Sequence, residues 1–264
     1  MTTPADYRQV SAKYYDEAYS AKEDLDDLKF YFEKAKSSSG PVLELACGTG
    51  RILLPIAREG IAIHGVDISL PMIKVLQERL RREPKDVQEL VSVLRGDIRN
   101  FRSKQQYPLV IIPFRPLQHM YTVEDQVAAL ETAAFHLEAE GQLVFDVFYP
   151  KFDNLTSKIG EEFLELEWIP KSDPSKVIRR YLRKESLDKI NQNFTATFIF
   201  RTYEGAKLVQ EETEPLKMSY YTYPHLRALF LLTGLEIVEE YGSFEKTPLD
   251  NDARQMIFVL KRRR

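Results

Sequence analysis

Cysteine is almost missing: the 264-residue chain has one, Cys47. No disulfide can form within the chain, which fits a reducing compartment, so a cytoplasmic protein is expected. An excess of either charge is missing too. Lys and Arg number 37 against 40 Asp and Glu, a net charge of −3. Nucleic-acid binders usually carry a basic stripe, so no nucleic-acid partner is expected. No apolar run approaches ~18 residues, and the start, MTTPADYRQV, lacks a basic region followed by an apolar one. Neither a membrane span nor a signal peptide is therefore expected. Repeats and low-complexity tracts are absent. What the chain does have is 44% apolar residues, enough for a large core, at a length suited to one large domain or to one domain carrying an insertion.

The apolar residues fall into two regimes. Residues 11 to 37 read as a broken helix with Leu25, Leu28 and Phe32 at helical spacing. Strand and helix then alternate: strands at 42–46, 61–66, 87–94, 109–112 and 143–148, helices at 51–58, 69–82 and 123–137. Short loops between fully apolar strands predict a mostly parallel, doubly wound α/β sheet covered on both faces. From about residue 150 the pattern changes to longer strands at 163–168, 177–185, 193–203 and 208–220, with turn signals at Asp188-Lys189 and Glu204-Gly205. This is an antiparallel insert, bounded here as 151–220, between a first part at 1–150 and a closing part at 221–264. The closing part has a helix at 224–232 and strands at 235–241 and 255–260.

Ligands in doubly wound folds bind beyond the carboxyl ends of the strands. At the first such end VLELACGTG runs into a helix, and a glycine turn there lets a ligand approach bare backbone. The dinucleotide pattern G-x-G-x-x-G/A fails, because Leu53 stands at its last position, and the phosphate-loop pattern with its lysine is absent. Acids border the crevice instead: Glu44 inside the first strand, Asp67 ending the second, Asp97 after the third. A carboxylate there can accept both hydroxyls of a ribose. These acids would repel a triphosphate but suit a ligand with a ribose, a base and a positive centre.

Together Val42–Gly50, the turn Val66-Asp67-Ile68-Ser69 and the turn Gly96-Asp97-Ile98 resemble the three cofactor motifs of class I S-adenosylmethionine-dependent methyltransferases. The resemblance covers roughly residues 10 to 150 and 222 to 260. It implies a Rossmann-like seven-stranded sheet with an inserted antiparallel sheet, S-adenosylmethionine as cofactor and S-adenosylhomocysteine as product. It also implies backbone at Ala46, Gly48 and Gly50 around the methionine part, with Glu44 nearby. Asp67 would take the ribose, Ile68 and Met72 would pack on adenine, and Asp97 and Ile98 would lie at its edge. Met72 also reads as plain helix core, and Cys47 as a small buried residue. No metal set is expected.

Three further features resemble small-molecule methyltransferases, closest in layout to N-methyltransferases of nucleotide-linked aminosugars. They are Tyr15-Asp16-Glu17-Ala18-Tyr19, the stretch Pro113-Phe114-Arg115-Pro116-Leu117-Gln118-His119-Met120, and the insert. The resemblance puts Tyr15 and His119 beside the acceptor as catalytic candidates, and Tyr15, Pro113 and Phe114 against the cofactor. His119 would act as base or only hydrogen-bond and pack; His64, His136 and His225 read as structural. Residues 151–217 hold 12 basic and 12 acidic side chains. The insert is thus neutral and aromatic, suited to walling a pocket for a small-molecule acceptor or to pairing two chains as a homodimer. The competing readings are a nucleic-acid or protein methyltransferase and a non-catalytic cofactor-binding module. The first is disfavoured by charge and by Ile112-Pro113-Phe114-Arg115 standing where base-amine enzymes carry Asn/Asp-Pro-Pro-Tyr.

Overall fold

The computed structural model describes residues 9–20, 27–156 and 159–263. Helices α1 (Gln9–Ser20) and α2 (Asp27–Ser37) form the expected broken helix; Leu25, read as part of it, lies outside the described residues. The alternating part follows as β1 (Val42–Leu45), α3 (Leu53–Arg58), β2 (Ile63–Asp67), α4 (Leu70–Leu80), α5 (Lys85–Glu89), β3 (Val91–Arg95), β4 (Tyr107–Ile112), α6 (Val123–Phe135) and β5 (Leu137–Phe148). A short α7 (Phe152–Thr156) leads to β6 (Glu162–Trp168), β7 (Lys176–Asp188), β8 (Asn193–Glu204) and β9 (Lys207–Ser219). The chain closes with α8 (Tyr223–Leu232), β10 (Leu235–Tyr241) and β11 (Gln255–Arg262).

Seven strands form one sheet in the order β3-β2-β1-β4-β5-β11-β10, parallel except for β11, which runs against both its neighbours. Strands β6 to β9 form a separate antiparallel sheet in sequence order. The fold is thus an α/β sheet with a second, antiparallel sheet between β5 and α8. No helix among the described residues is long and apolar enough to cross a membrane.

Successive side chains of a strand point to opposite faces, and both faces of the large sheet are buried. Leu43, Leu45, Val110, Ile112 and Phe258 enter one core with α6 and α8; Val42, Leu109, Ile111 and Ile257 enter the other with α2, α3 and α4. That is why the strands read as continuous apolar runs rather than alternating ones. A third core lies in the small sheet: Trp168, Phe194, Phe198 and Phe200 pack around Tyr14 and Ala18 of α1. Helix α1 therefore belongs with the insert, and each of those rings contributes ~1.5–3 kcal/mol by its burial.

Two expected strands differ. Residues 87–94, read as one strand, are a turn of α5 followed by β3. The helical turn buries Val87, while β3 is an edge strand that leaves Leu94 half exposed. The helix expected to reach residue 137 ends at Phe135, and β5 starts at Leu137 instead of 143. Gly141, read as a turn, lies inside that strand. A Cβ there would sit 2.8 Å from the Tyr107 carbonyl oxygen, and the register with β4 shifts at this point. The glycine serves close backbone approach at an irregularity.

Candidate active site

Beyond β1 the chain turns sharply. Ala46, Gly48 and Gly50 all have positive φ, of 63°, 55° and 78°. Gly50 faces α4: a Cβ would lie 2.3 Å from Leu76 Cδ1, so it permits packing and does not border the cavity. Gly48 faces open space, where a Cβ meets nothing within 4 Å. The loop is tied down by Asp67, which accepts from Gly48 N–H at 2.8 Å and from Ser69 N–H at 2.7 Å. Burial pushes the Asp67 carboxyl up, and these backbone donors hold it back. Cys47 is buried against the next strand, 2.7 Å from where a Gly65 Cβ would be, and burial pushes its thiol far up. It is packing, not a nucleophile.

Glu44 is 2% exposed and lies in the sheet below the loop, not on the cavity wall. Its Oε2 has no hydrogen-bond partner among the described residues. Burial pushes its carboxyl up to about 8; Arg51 opposes this, and Asp67 and Asp27 add to it. Arg51 itself reaches back to buried Asp27 of α2 as a two-toothed ion pair and stacks 4.7 Å over Phe114.

One cavity of about 340 Å³ opens over these strand ends. At one side Ala46, Gly48, Asp67, Ile68, Met72, Asp97 and Ile98 line it. Met72 is only 3% exposed, so core and cavity wall are both true of it. Asp97 is clamped by Arg99, whose Nε lies 3.0 Å from each carboxylate oxygen, and Arg99 also bonds Asp125 at 3.0 Å. Burial pushes Asp97 up, but the Arg99 hydrogen bonds win and hold it below its usual value.

The other side is built by the chain leaving β4. Phe114 and Arg115 are consecutive non-glycine residues with φ of 65° and 70°, a strained arrangement costing ~1–2 kcal/mol per residue. Asp146 of β5 holds it: Oδ1 accepts from Phe114 N–H at 2.7 Å and from the Tyr31 hydroxyl at 2.6 Å. The 3-10 turn Pro116–His119 is fixed by Gln118, which donates to the Ser219 carbonyl at 2.9 Å and accepts from Phe148 N–H at 3.0 Å. Pro113, Phe114, Arg115, His119 and Met120 line the cavity, and Tyr15 and Tyr19 of α1 close over Phe114 with ring centroids 6.2 and 4.8 Å away. His119 Nδ1 lies 3.3 Å from the Lys217 carbonyl of β9. A carbonyl only accepts, so this contact puts the proton on Nδ1 and, in the neutral ring, the lone pair on Nε2. The insert contributes Phe194, Phe198, Leu216, Met218 and Arg180.

The structure thus gathers every expected site residue except Glu44 and Gly50 on one cavity. The residues missed in the sequence are Arg115, Arg180, Asp146 and, as a wall residue, Tyr19. Tyr19 and Arg115 had a signal, since each stands in a stretch singled out in the sequence, Tyr15-Asp16-Glu17-Ala18-Tyr19 and Pro113 to Met120; Arg180 and Asp146 had none. The other three histidines are structural: His64 bonds the Tyr107 hydroxyl at 2.8 Å, His225 bonds Gln192 at 2.6 Å, and His136 is fully buried with Nδ1 2.8 Å from the Thr132 carbonyl.

Comparison with known proteins bears on the domain and the fold. Residues 42–141 match a family model described as a methyltransferase domain. The chain is similar to a putative methyltransferase, YqeM, of Bacillus subtilis (strain 168), 29% identical over 140 residues, 53% of this chain and 54% of that protein. It is 23% identical over 264 residues to the cypemycin N-terminal methyltransferase of a Streptomyces species, covering 99% and 100% of the two chains. It is 26% identical over 150 residues to a dTDP-3-amino-3,6-dideoxy-alpha-D-glucopyranose N,N-dimethyltransferase of Streptomyces fradiae, 55% of this chain and 56% of that one. The match therefore spans about half the length of the first and third of these relatives. Among solved structures, the CcbJ methyltransferase from Streptomyces caelestis superposes with a TM-score of 0.81 at 25% identity, over 96% of each chain.

Proposed function

We infer that this chain, an S-adenosylmethionine-dependent methyltransferase by its domain and fold, methylates the amine of a small molecule. One observation carries the reading: the cleft bordered by Asp67 and Asp97 and the aromatic chamber under the insert are one cavity. Its volume of about 340 Å³ falls within the ~300–1,000 Å³ of small-molecule sites. The residues fit the cofactor. Gly48 leaves open space over the loop, and Asp67 faces the cavity. Asp67 would take the ribose, Ile68, Met72, Asp97 and Ile98 would hold the adenine, and Ala46 and Gly48 would hold the methionine part; Gly50 instead packs the loop on α4 and Glu44 lies beneath it, off the cavity wall. Tyr15, Pro113 and Phe114 would cover it.

When bound, the cofactor supplies a methyl group on a good leaving group. The protein must then align an amine with that methyl, exclude water and take one proton from the amine. Tyr15, Tyr19 and Phe114 exclude water. His119 is the proposed base, with Nε2 as its lone-pair atom. The relatives' names include methylation of sugar amines and of a peptide N-terminus, and both are primary or substituted amines. We take residues 151–220 as the acceptor-covering subdomain between 1–150 and 221–264. A homodimer through it would pair along the outer β6 edge, which carries exposed Phe163 and Leu164, and sedimentation at two concentrations checks this.

The test is turnover of S-adenosylmethionine against a panel of aminosugars, amino acids and short peptides, read as S-adenosylhomocysteine formed and as methylated product mass. Mass gain on an amine by 14 Da, the mass of the added CH2, is the expected outcome; cofactor binding without turnover of any amine would favour a non-catalytic module.

A further inference from the structure

Strands β7, β8 and β9 of the small sheet turn one face to the cavity. Side chains two residues apart on a strand share a face. Leu182 stands opposite Phe198 across β7 and β8, and Phe194 opposite Met218 across β8 and β9. With Leu216 of β9 and Phe148 of β5 they line the cavity under the insert. Phe194, Phe198 and Leu216 are buried, and Phe148, Leu182 and Met218 half-buried. The polar groups on this wall are matched to one another. Arg180 Nε donates to Glu165 at 3.1 Å and Nη1 to the Tyr19 hydroxyl at 3.3 Å. The guanidinium lies between rings, 4.7 Å from the Phe198 centroid and 5.0 Å from that of Tyr19, and Nη2 is sealed from solvent. Arg115 has an Asp146 carboxylate oxygen 4.0 Å from its Nε. The Ser11 hydroxyl bonds buried Glu214. Among the described residues at this end, each cation thus has an anion beside it.

Apolar side chains that face a cavity forgo part of the stabilisation of burial until something apolar covers them. A polyol or a phosphate seated against these side chains would give up water for walls that neither donate nor accept. We propose that the acceptor presents its amine on a neutral, apolar body, which packs against Phe148 and the inner face of β7, β8 and β9 and so holds the amine toward Phe114 and His119. This rests on the methyltransferase reading and names the substrate class of the same site. The apolar surroundings also serve the reaction. They disfavour the charged ammonium form, so the amine arrives with its lone pair free for attack.

The test uses the full chain saturated with S-adenosylhomocysteine, whose own binding is first measured by calorimetry. N-methylhexylamine and N-methylglucamine share one carbon chain and one amine, and differ only in the hydroxyls of the second. In ligand-observed NMR titrations the first should bind about tenfold or more tighter than the second, and thymidine diphosphate should not displace it. Met218→Gln keeps the length of the side chain and adds an amide to the wall. It should cut the preference by about threefold or more while S-adenosylhomocysteine still binds. If Met218→Gln fails to fold, Leu182→Gln, half-buried on the same face, should do the same. Equal binding of the two amines, tighter binding of N-methylglucamine, displacement by thymidine diphosphate, or a preference that both substitutions leave intact overturns the proposal. Failure of S-adenosylhomocysteine to bind the unaltered protein contradicts the cofactor reading instead, and takes the proposal with it.

Discussion

Glu44 and His119 show how much a single side chain reveals in sequence. An acid within an apolar strand is visible at once, and so is a histidine beyond a strand end. What each does depends on neighbours far along the chain. Glu44 is held by burial at about 8 against an ordinary 4.5. A raised value means that folding takes up a proton, so its contribution to stability is fully favourable below pH ~4.5 and is lost as pH rises through about 8. Glu44→Gln should therefore stabilise the cofactor-free protein over the wild type at pH ~9 by about 1–3 kcal/mol, with little difference at pH ~4.5. Thermal melts across that range check it, and a pH-independent difference would refute it. For His119→Ala, a base predicts a fall in kcat of about 10²–10⁴ with cofactor affinity nearly unchanged. A rise in KM with kcat largely kept would reassign it to positioning. Arg180 was not legible at this scale: in sequence it is one more charge on a strand, and the Tyr19 hydroxyl it bonds comes from α1, 161 residues away.

Among the elements, those with one clear periodicity were legible and those serving two purposes were not. Strands β1, β2 and β4 were legible in place because both of their faces are buried. Residues 85–95 mix a helical turn with an edge strand, and their apolar residues fit either. In β5 a glycine that reads as a turn marks an irregularity inside the strand, because the carbonyl it must avoid belongs to another strand. The turn after β4 was legible in place but not in conformation. Nothing local says that Phe114 and Arg115 adopt left-handed backbone; Asp146, on the next strand, holds them there. Asp146→Ala should remove the acceptor from both Phe114 N–H and the Tyr31 hydroxyl. It should cost about 1.5–3 kcal/mol in urea melts and raise KM for the acceptor through a displaced Phe114. Unchanged stability and KM would mean that the turn holds itself.

At the scale of the whole molecule, the order of elements was legible but the partnership between α1 and the insert was not. That contact joins the first helix to strands some 150 to 200 residues later: Tyr14 donates to Glu212 at 2.7 Å, and the Ser11 hydroxyl bonds buried Glu214. It brings α1 and the insert onto the same cavity, so the side lined by Asp67 and Asp97 and the aromatic chamber under the insert are one space. The account depends on the cofactor occupying the first of these with Asp67 on its ribose. Calorimetric titration of S-adenosylhomocysteine into the wild type and Asp67→Ala tests this directly. Micromolar binding, about −8 kcal/mol, weakened by roughly 1–3 kcal/mol in the variant, is the predicted result. Equal affinity in the two proteins would contradict it, as would NADH binding in place of S-adenosylhomocysteine.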